Sequence, residues 1–308
     1  MKKTKVKQLL IDNDVAGQRI DNFLHRYLKT IPKSRIYQMI RKGEVRINKG
    51  RVQQTYKLQS GDTIRIPPVH VEEEVKSRKP SLALQELIKS SIIYEDDALT
   101  IINKPSALAV HSGTNQLHGV IDVMRELFTG YELVHRLDRD TSGCLMLAKN
   151  RQVLRLLNDD MKTNKVKKHY VALLAGKLAN KSFVIDKPLL KNRMQGGERI
   201  VRVSNEGKKA LTKFNINKVY SDATLVDIEL VTGRTHQIRV HSADMSNPVL
   251  GDNKYGDKYM NKKFKHIGLN RLFLHAASLE FYSPAKKKSV KVSAPLDDAL
   301  ILLLEKLN

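Results

Sequence analysis

The sequence predicts an α+β protein of two domains, and three observations carry that prediction. Apolar residues recur at helical spacing twice before residue 43, then alternate at strand spacing up to residue 66. From residue 92 onward, strand-like and helix-like stretches are interleaved. The charge is also split: residues 1–70 hold 16 Lys+Arg against 5 Asp+Glu, nearly half of the net +23 of a 308-residue chain. That length suits one large domain or two, with ample core for at least one.

In the first domain, expected over residues 1–75, Ile20, Phe23, Leu24, Tyr27, Leu28 and Ile31 form one apolar helical stripe. Pro32 interrupts it, and Ser34 is placed to cap a second helix that turns Ile36, Met39 and Ile40 inward. Gly43 ends that helix. Val45 and Ile47 alternate before a turn over Asn48, Lys49 and Gly50, and a turn at Gly61 and Asp62 leads into a closing strand, Thr63 to Ile66. Pro67 and Pro68, then Glu72, Glu73 and Glu74, then mixed charge without clear periodicity, read as a linker over 76–90. The second domain, 91–308, opens strand–turn–strand through Ile92–Tyr94 and Leu99–Ile102. It continues with a helix over Gly119–Leu127 and a hairpin-like pair through Ala223–Leu230.

Composition narrows the function. One cysteine, Cys144, excludes an internal disulfide framework and a Cys-rich zinc site. No apolar run approaches the roughly 20 residues of a membrane span, and the first residues lack a signal-peptide core, so a cytoplasmic, reduced protein is expected. The net charge calls for a polyanion, most simply nucleic acid. Lys33, Arg35, Arg41, Lys42, Arg46, Lys49 and Arg51 gather around the second helix and the turn after it, as phosphate-reaching cations would. A solvated helix face would produce the same run.

The densest polar motif runs from His135 through Arg136, Leu137, Asp138, Arg139, Asp140, Thr141 and Ser142 to Gly143, ahead of an apolar run. Loops that display such groups from a rigid sheet are where catalysis usually sits, although a surface turn with weak ion pairs has the same composition. Other chemistries fit poorly. Adjacent aspartates say little about the carboxylate separation of a glycosidase. A phosphatase-like pair would need an apolar strand leading straight into the first Asp. His236 and His241 lack further metal ligands. Gly207, Lys208 and Lys209 lack the remainder of a phosphate loop. A second island, Thr232 to His241, contains Arg234, the natural partner for a buried catalytic carboxylate, since a guanidinium stays charged and would orient it. A third places Tyr170 at the head of an apolar strand, where, taken alone, a packing role is the better reading.

Together these islands resemble the RluA-type RNA pseudouridine synthases. The stretch His135 to Gly143 matches that family's signature, and residues 18–24, 34–48 and 61–64 resemble the alpha-L RNA-binding module. The resemblance implies a small alpha-L module, two helices plus a small sheet, followed by a mixed, largely antiparallel catalytic sheet. It places the catalytic aspartate at Asp138, the active-site tyrosine at Tyr170 and the active-site arginine at Arg234. Arg136 falls on an arginine that can fill the space of a flipped nucleotide. It implies isomerisation of uridine in 23S ribosomal RNA, or a large-subunit precursor, by a monomer without metal, cofactor or membrane. The aspartate acts at the ribose anomeric centre, either as nucleophile or as base for a neighbouring ribose proton; the sequence leaves both routes open.

Overall fold

The computed structural model describes residues 2–13, 15–28, 31–71, 79–113, 117–193 and 199–307. The chain divides into two compact units, Met1–Lys79 and Pro80–Asn308.

In the first unit the two expected helices are Ile20–Tyr27 and Lys33–Arg41. Ile20, Leu24, Ile36, Met39 and Ile64 meet in its core. Pro32, not Ser34, is the N-cap: its φ of −57° suits the helix entrance, so Lys33 opens the helix and Ser34 lies within it, making no cap bond. The first helix stops at Tyr27, and Ile31 reaches the core from outside it. Strands Lys7–Leu10, Thr63–Ile66 and Arg46–Ile47 form an antiparallel sheet with the closing strand in the middle. Asn48 and Lys49 both take positive φ (49° and 67°), the mirror-image turn whose twist matches a hairpin. Buried Asp62 fixes this turn by accepting hydrogen bonds from the Asn48 amide (2.9 Å), the Tyr56 hydroxyl (3.0 Å) and the Gln59 N–H (2.8 Å).

The second unit is built on a ten-stranded, largely antiparallel sheet. Its path runs Ser182–Asp186, Leu211–Val219, Ala223–Leu230, Lys167–Ala175, Leu274–Ser283, Ser142–Ala148, Leu99–Lys104 and Ile92–Glu95. Lys288–Ser293 and Glu132–Leu133 pair off that path. Leu274–Ser283 and Ser142–Ala148 run parallel, with Ala276 opposite Gly143. Gly143 has φ of +104°, and a Cβ there would lie 2.3 Å from the Ala276 carbonyl oxygen, so the close approach requires glycine. The strand Ser142–Ala148 is buried along its whole length, which explains why it follows the polar loop as an unbroken apolar run.

The linker expected over 76–90 needs correction. Residues 72–78 lie outside the described residues, but Leu82–Ser90 is a helix capped by the Ser81 hydroxyl, with Ile88 in the core of the second unit and Leu84 packed against it. Only Ile88 of its apolar residues is fully buried, and Leu82 and Leu87 are exposed, which hid the period. The helix expected over Gly119–Leu127 forms from Val120 to Leu127.

Candidate active site

Asp138 lies in the loop that feeds the strand Ser142–Ala148, and the loop is held from below. The Lys104 ammonium, fully buried, donates to the carbonyls of Pro105 (2.7 Å), Leu108 (2.9 Å) and Arg139 (3.0 Å). Three acceptors need three N–H bonds, so the protonated amine is the form that fits, although burial lowers its pKa to about 7. The Ser106 hydroxyl donates to the Asp140 carbonyl at 2.8 Å. His135 accepts the Met146 N–H through Nε2 (3.1 Å); with its pKa lowered to about 4 by desolvation, it is a neutral pin between loop and strand. Cys144 is buried, and burial pushes its thiol up to about 12, so it supplies no nucleophile.

The loop borders a cavity of about 680 Å³ lined in part by Arg136, Asp138, Tyr170, Arg234, His236 and Arg239. That volume is in the range of pockets that enclose a small organic ligand. Tyr170 is buried in the strand Lys167–Ala175, and its hydroxyl makes no hydrogen bond among the described residues. Burial, and then the nearby Asp138 charge, raise its pKa well above the ordinary tyrosine value, so the phenol is neutral. Arg136 is exposed at the cavity's edge.

The arginine against Asp138 is Arg239, not Arg234. Arg239 opens its guanidinium toward two carboxylates. Nε and Nη2 donate to Asp252 at 2.7 and 2.8 Å, and Nη1 reaches Asp138 Oδ2 at 3.4 Å. Its guanidinium also lies over the Tyr255 ring, 5.1 Å from the centroid. Arg234 is exposed and donates from Nε to the Lys209 carbonyl at 3.0 Å. The reason is local geometry. Gly233 begins a turn in which the Arg234 N–H donates to Gln237 Oε1 (3.0 Å), and the helix Gln237–Asp244 then carries Arg239 inward. Asp252 is fully buried; burial pushes its pKa up, but the Arg239 hydrogen bonds and charge, with the Lys254 and Tyr255 N–H groups, hold it below the usual carboxylate range.

Sequence reasoning missed Lys104, Arg239, Asp252, His236 and Tyr255 as parts of this site. Two of them left a signal in the second polar island: His236, weighed there only as a metal ligand, and Arg239, an arginine between apolar Ile238 and Val240. Among the described residues, no group of three or more His, Cys, Asp or Glu is arranged to hold a metal ion. No helix there is long and apolar enough to cross a membrane.

The RNA pseudouridylate synthase model matches residues 98–244, which contain Asp138, Tyr170 and Arg239, and the S4 domain model matches 18–64. The ribosomal large subunit pseudouridine synthase C of Haemophilus influenzae is 48% identical, over 99% of this chain and 96% of its own. The chain belongs to the RNA pseudouridine synthases of RluA type. The Escherichia coli K12 protein of the same name is 47% identical over 98% of this chain and 97% of its own. Among solved structures, human RNA pseudouridylate synthase domain containing 4 is 26% identical with a TM-score of 0.60, covering 73% of this synthase and 95% of that chain. The α+β class and the RNA-modifying isomerase activity expected from the motifs stand on these relationships.

The seven cations expected to meet RNA are not equivalent. Arg35 is bound to Glu44 at 2.8 Å and to Gln38 at 3.0 Å, and the Arg46 Nε donates to the Gly43 carbonyl at 3.2 Å. Arg51 packs against Gly43, where a Cβ would meet its Nε at 2.8 Å. Lys33, Arg41, Lys42 and Lys49 are exposed and make no ion pair among the described residues.

Proposed function

We propose that this synthase isomerises uridines of 23S ribosomal RNA, free or in a large-subunit precursor, in the cytoplasm, with Asp138 as its catalytic residue. The observation that carries the reading is the convergence of Asp138, Arg239 and Tyr170 on one cavity in a chain nearly half identical to large-subunit synthases along its whole length. The reaction breaks the bond from ribose C1′ to uracil N1 and forms one from C1′ to C5; C5 loses its proton and N1 gains one, so nothing is consumed. Both donors near Asp138 converge on Oδ2, which leaves Oδ1 for the ribose. Attack on C1′ and removal of a neighbouring ribose proton both start from that oxygen.

The target base must leave its stack, which costs a few kcal/mol. Tyr170 offers a flat neutral face for the uracil, and we assign to its hydroxyl the handling of the C5 proton. Arg136 presents a planar cation to the stack the base has left. Arg234, at the same cavity, supplies a charge for a flanking phosphate.

Release of tritium from 23S RNA labelled at uracil C5 tests the activity. Mapping pseudouridine in RNA from a strain lacking the gene tests the substrate. Unchanged pseudouridine in that RNA would remove the 23S assignment.

The S4 unit adds affinity through Lys33, Arg41, Lys42 and Lys49. Replacing all four by Gln is expected to flatten the dependence of log binding constant on log salt by roughly 0.7–0.9 for each phosphate no longer neutralised. Arg35→Gln should instead lower the melting temperature and leave the slope unchanged, because its charge is already committed to Glu44. Filter binding across a salt series separates the two.

A further inference from the structure

His236 stands in the cavity with a backbone that L residues rarely adopt, φ 54° and ψ 20°. The turn from the Arg234 carbonyl to the Gln237 N–H (3.2 Å) and the bond from the Val240 N–H to the His236 carbonyl (2.9 Å) hold it there. Glycine would sit in that conformation without strain, so the imidazole itself is the reason for the residue.

Its two ring nitrogens face different partners. Nδ1 lies 2.8 Å from the Tyr255 hydroxyl, and the oxygen of that hydroxyl already accepts the Val201 N–H at 3.1 Å. A phenolic oxygen can accept a second hydrogen bond, so the tautomer is decided at the other nitrogen. Nε2 faces Asp138 Oδ2 at 3.7 Å, and a neutral imidazole puts its proton there, toward the carboxylate, leaving Nδ1 bare to accept from the Tyr255 hydroxyl. The opposite tautomer would turn a nitrogen lone pair toward a carboxylate. The T-shaped contact between the His236 and Tyr255 rings, centroids 5.5 Å apart, fixes the ring plane.

We propose that His236 is a positioning residue for the catalytic carboxylate: held as the neutral Nε2–H tautomer between the Asp138 carboxylate and the Tyr255 hydroxyl, it works with Arg239 to hold Asp138 by Oδ2, so that Oδ1 is the oxygen presented to the ribose. This positioning role rests on the catalytic role of Asp138. It gives Tyr255 a second function, since its ring supports Arg239 while its hydroxyl partners Nδ1 of the histidine. Protonation disturbs the arrangement, because a hydrogen on Nδ1 turns the Tyr255 hydroxyl from donor to acceptor and the imidazolium draws the Asp138 carboxylate into an ion pair. Five groups bear on that protonation. Asp138 and Asp252 favour it, Arg239 and Lys254 oppose it, and the Tyr255 hydroxyl, by donating to Nδ1, also opposes it; burial keeps the imidazole below its ordinary pKa.

The experiment is single-turnover tritium release by the full-length protein on C5-labelled 23S RNA between pH 5 and 8, with RNA affinity and melting temperature measured for every variant. His236→Gln keeps an N–H donor near the Nε2 position but cannot titrate, and His236→Leu removes the donor. Both carry a Cβ at the same strained backbone, so strain cancels between them. His236→Leu is expected to slow the rate by about tenfold or more at unchanged RNA affinity, while His236→Gln stays within about threefold of wild type. The wild-type rate should fall as the imidazole protonates; His236→Gln should lack that step, and Tyr255→Phe should move it to higher pH by removing the donor that favours the neutral ring. A wild-type rate in His236→Leu would overturn the proposal, as would His236→Gln as slow as His236→Leu. Should His236→Leu fail to fold, an unaltered acid step in His236→Gln and Tyr255→Phe would overturn it instead. Asp138→Asn is the companion control: activity in that variant would defeat the reading of Asp138 itself, a result distinct from any of these.

Discussion

Asp138→Asn is expected to abolish tritium release, with a loss of at least about 10⁴-fold in single-turnover rate, while RNA affinity and melting temperature stay near wild type. Asparagine fills the same volume but cannot attack C1′ or remove a ribose proton. The fold should hardly register the change. Asp138 is 29% exposed, its closest ion-pair contact is 3.4 Å, and Arg239 keeps both of its hydrogen bonds to Asp252. A partly exposed pair of that kind contributes on the order of 1 kcal/mol or less. Isomerisation at an undiminished rate in a single-turnover assay would show that another group does the chemistry.

The loop bearing Asp138 was legible in the sequence for a physical reason. Charged residues in bulk beside a wholly apolar strand mark a loop held at the edge of a buried sheet, and the strand Ser142–Ala148 is buried throughout. Tyr170 was not legible in that way: at the head of an apolar strand it reads as packing, and only the family resemblance points to it. The partner of Asp138 was not legible either. Arg234 and Arg239 lie five residues apart, and which one turns inward depends on the left-handed backbone at His236 and on a helix that starts only at Gln237. Neither is written in a hydrophobic period, because six of the helix's eight residues, from Gln237 to Ser242, are buried, polar ones included. Asp252, 114 positions beyond Asp138, and Lys104, 34 before it, reach the site only through the fold. Ser34 shows the same limit on a small scale: a good capping residue yields to Pro32, whose fixed φ sets the helix entrance two residues sooner. The helix Leu82–Ser90 was hidden by its exposed leucines, Leu82 at 78% and Leu87 at 46%, which blur an apolar stripe anchored by Ile88.

Arg239→Met is expected to damage both stability and catalysis, and the two losses can be pulled apart. Asp252 has no exposed side-chain surface, so removing its bidentate partner leaves a buried carboxylate with no opposite charge and only the Lys254 and Tyr255 N–H groups on it. Breaking a buried pair from one side costs about 3–5 kcal/mol, a drop in melting temperature that calorimetry would resolve easily. The pH dependence should also weaken. In the wild type Arg239 holds the Asp252 pKa below its unfolded value, so the contribution of Asp252 to stability is present above pH about 4 and lost as pH falls through the lowered pKa. In Arg239→Met burial is opposed only by the Lys254 and Tyr255 N–H groups, so that pKa rises and the stability Asp252 contributes at neutral pH should shrink. Adding Asp252→Asn removes the buried charge and should restore much of the melting temperature. It should not restore the rate, because Asp138 still lacks the guanidinium that holds Oδ2. Arg239→Lys should fail as well, since a single ammonium cannot make the two Asp252 bonds and reach Asp138 together. Arg234→Met, by contrast, touches neither carboxylate and should leave the melting temperature unchanged. A double variant that recovered both stability and rate would mean that Arg239 serves the fold alone and that Asp138 is oriented by its loop and His236.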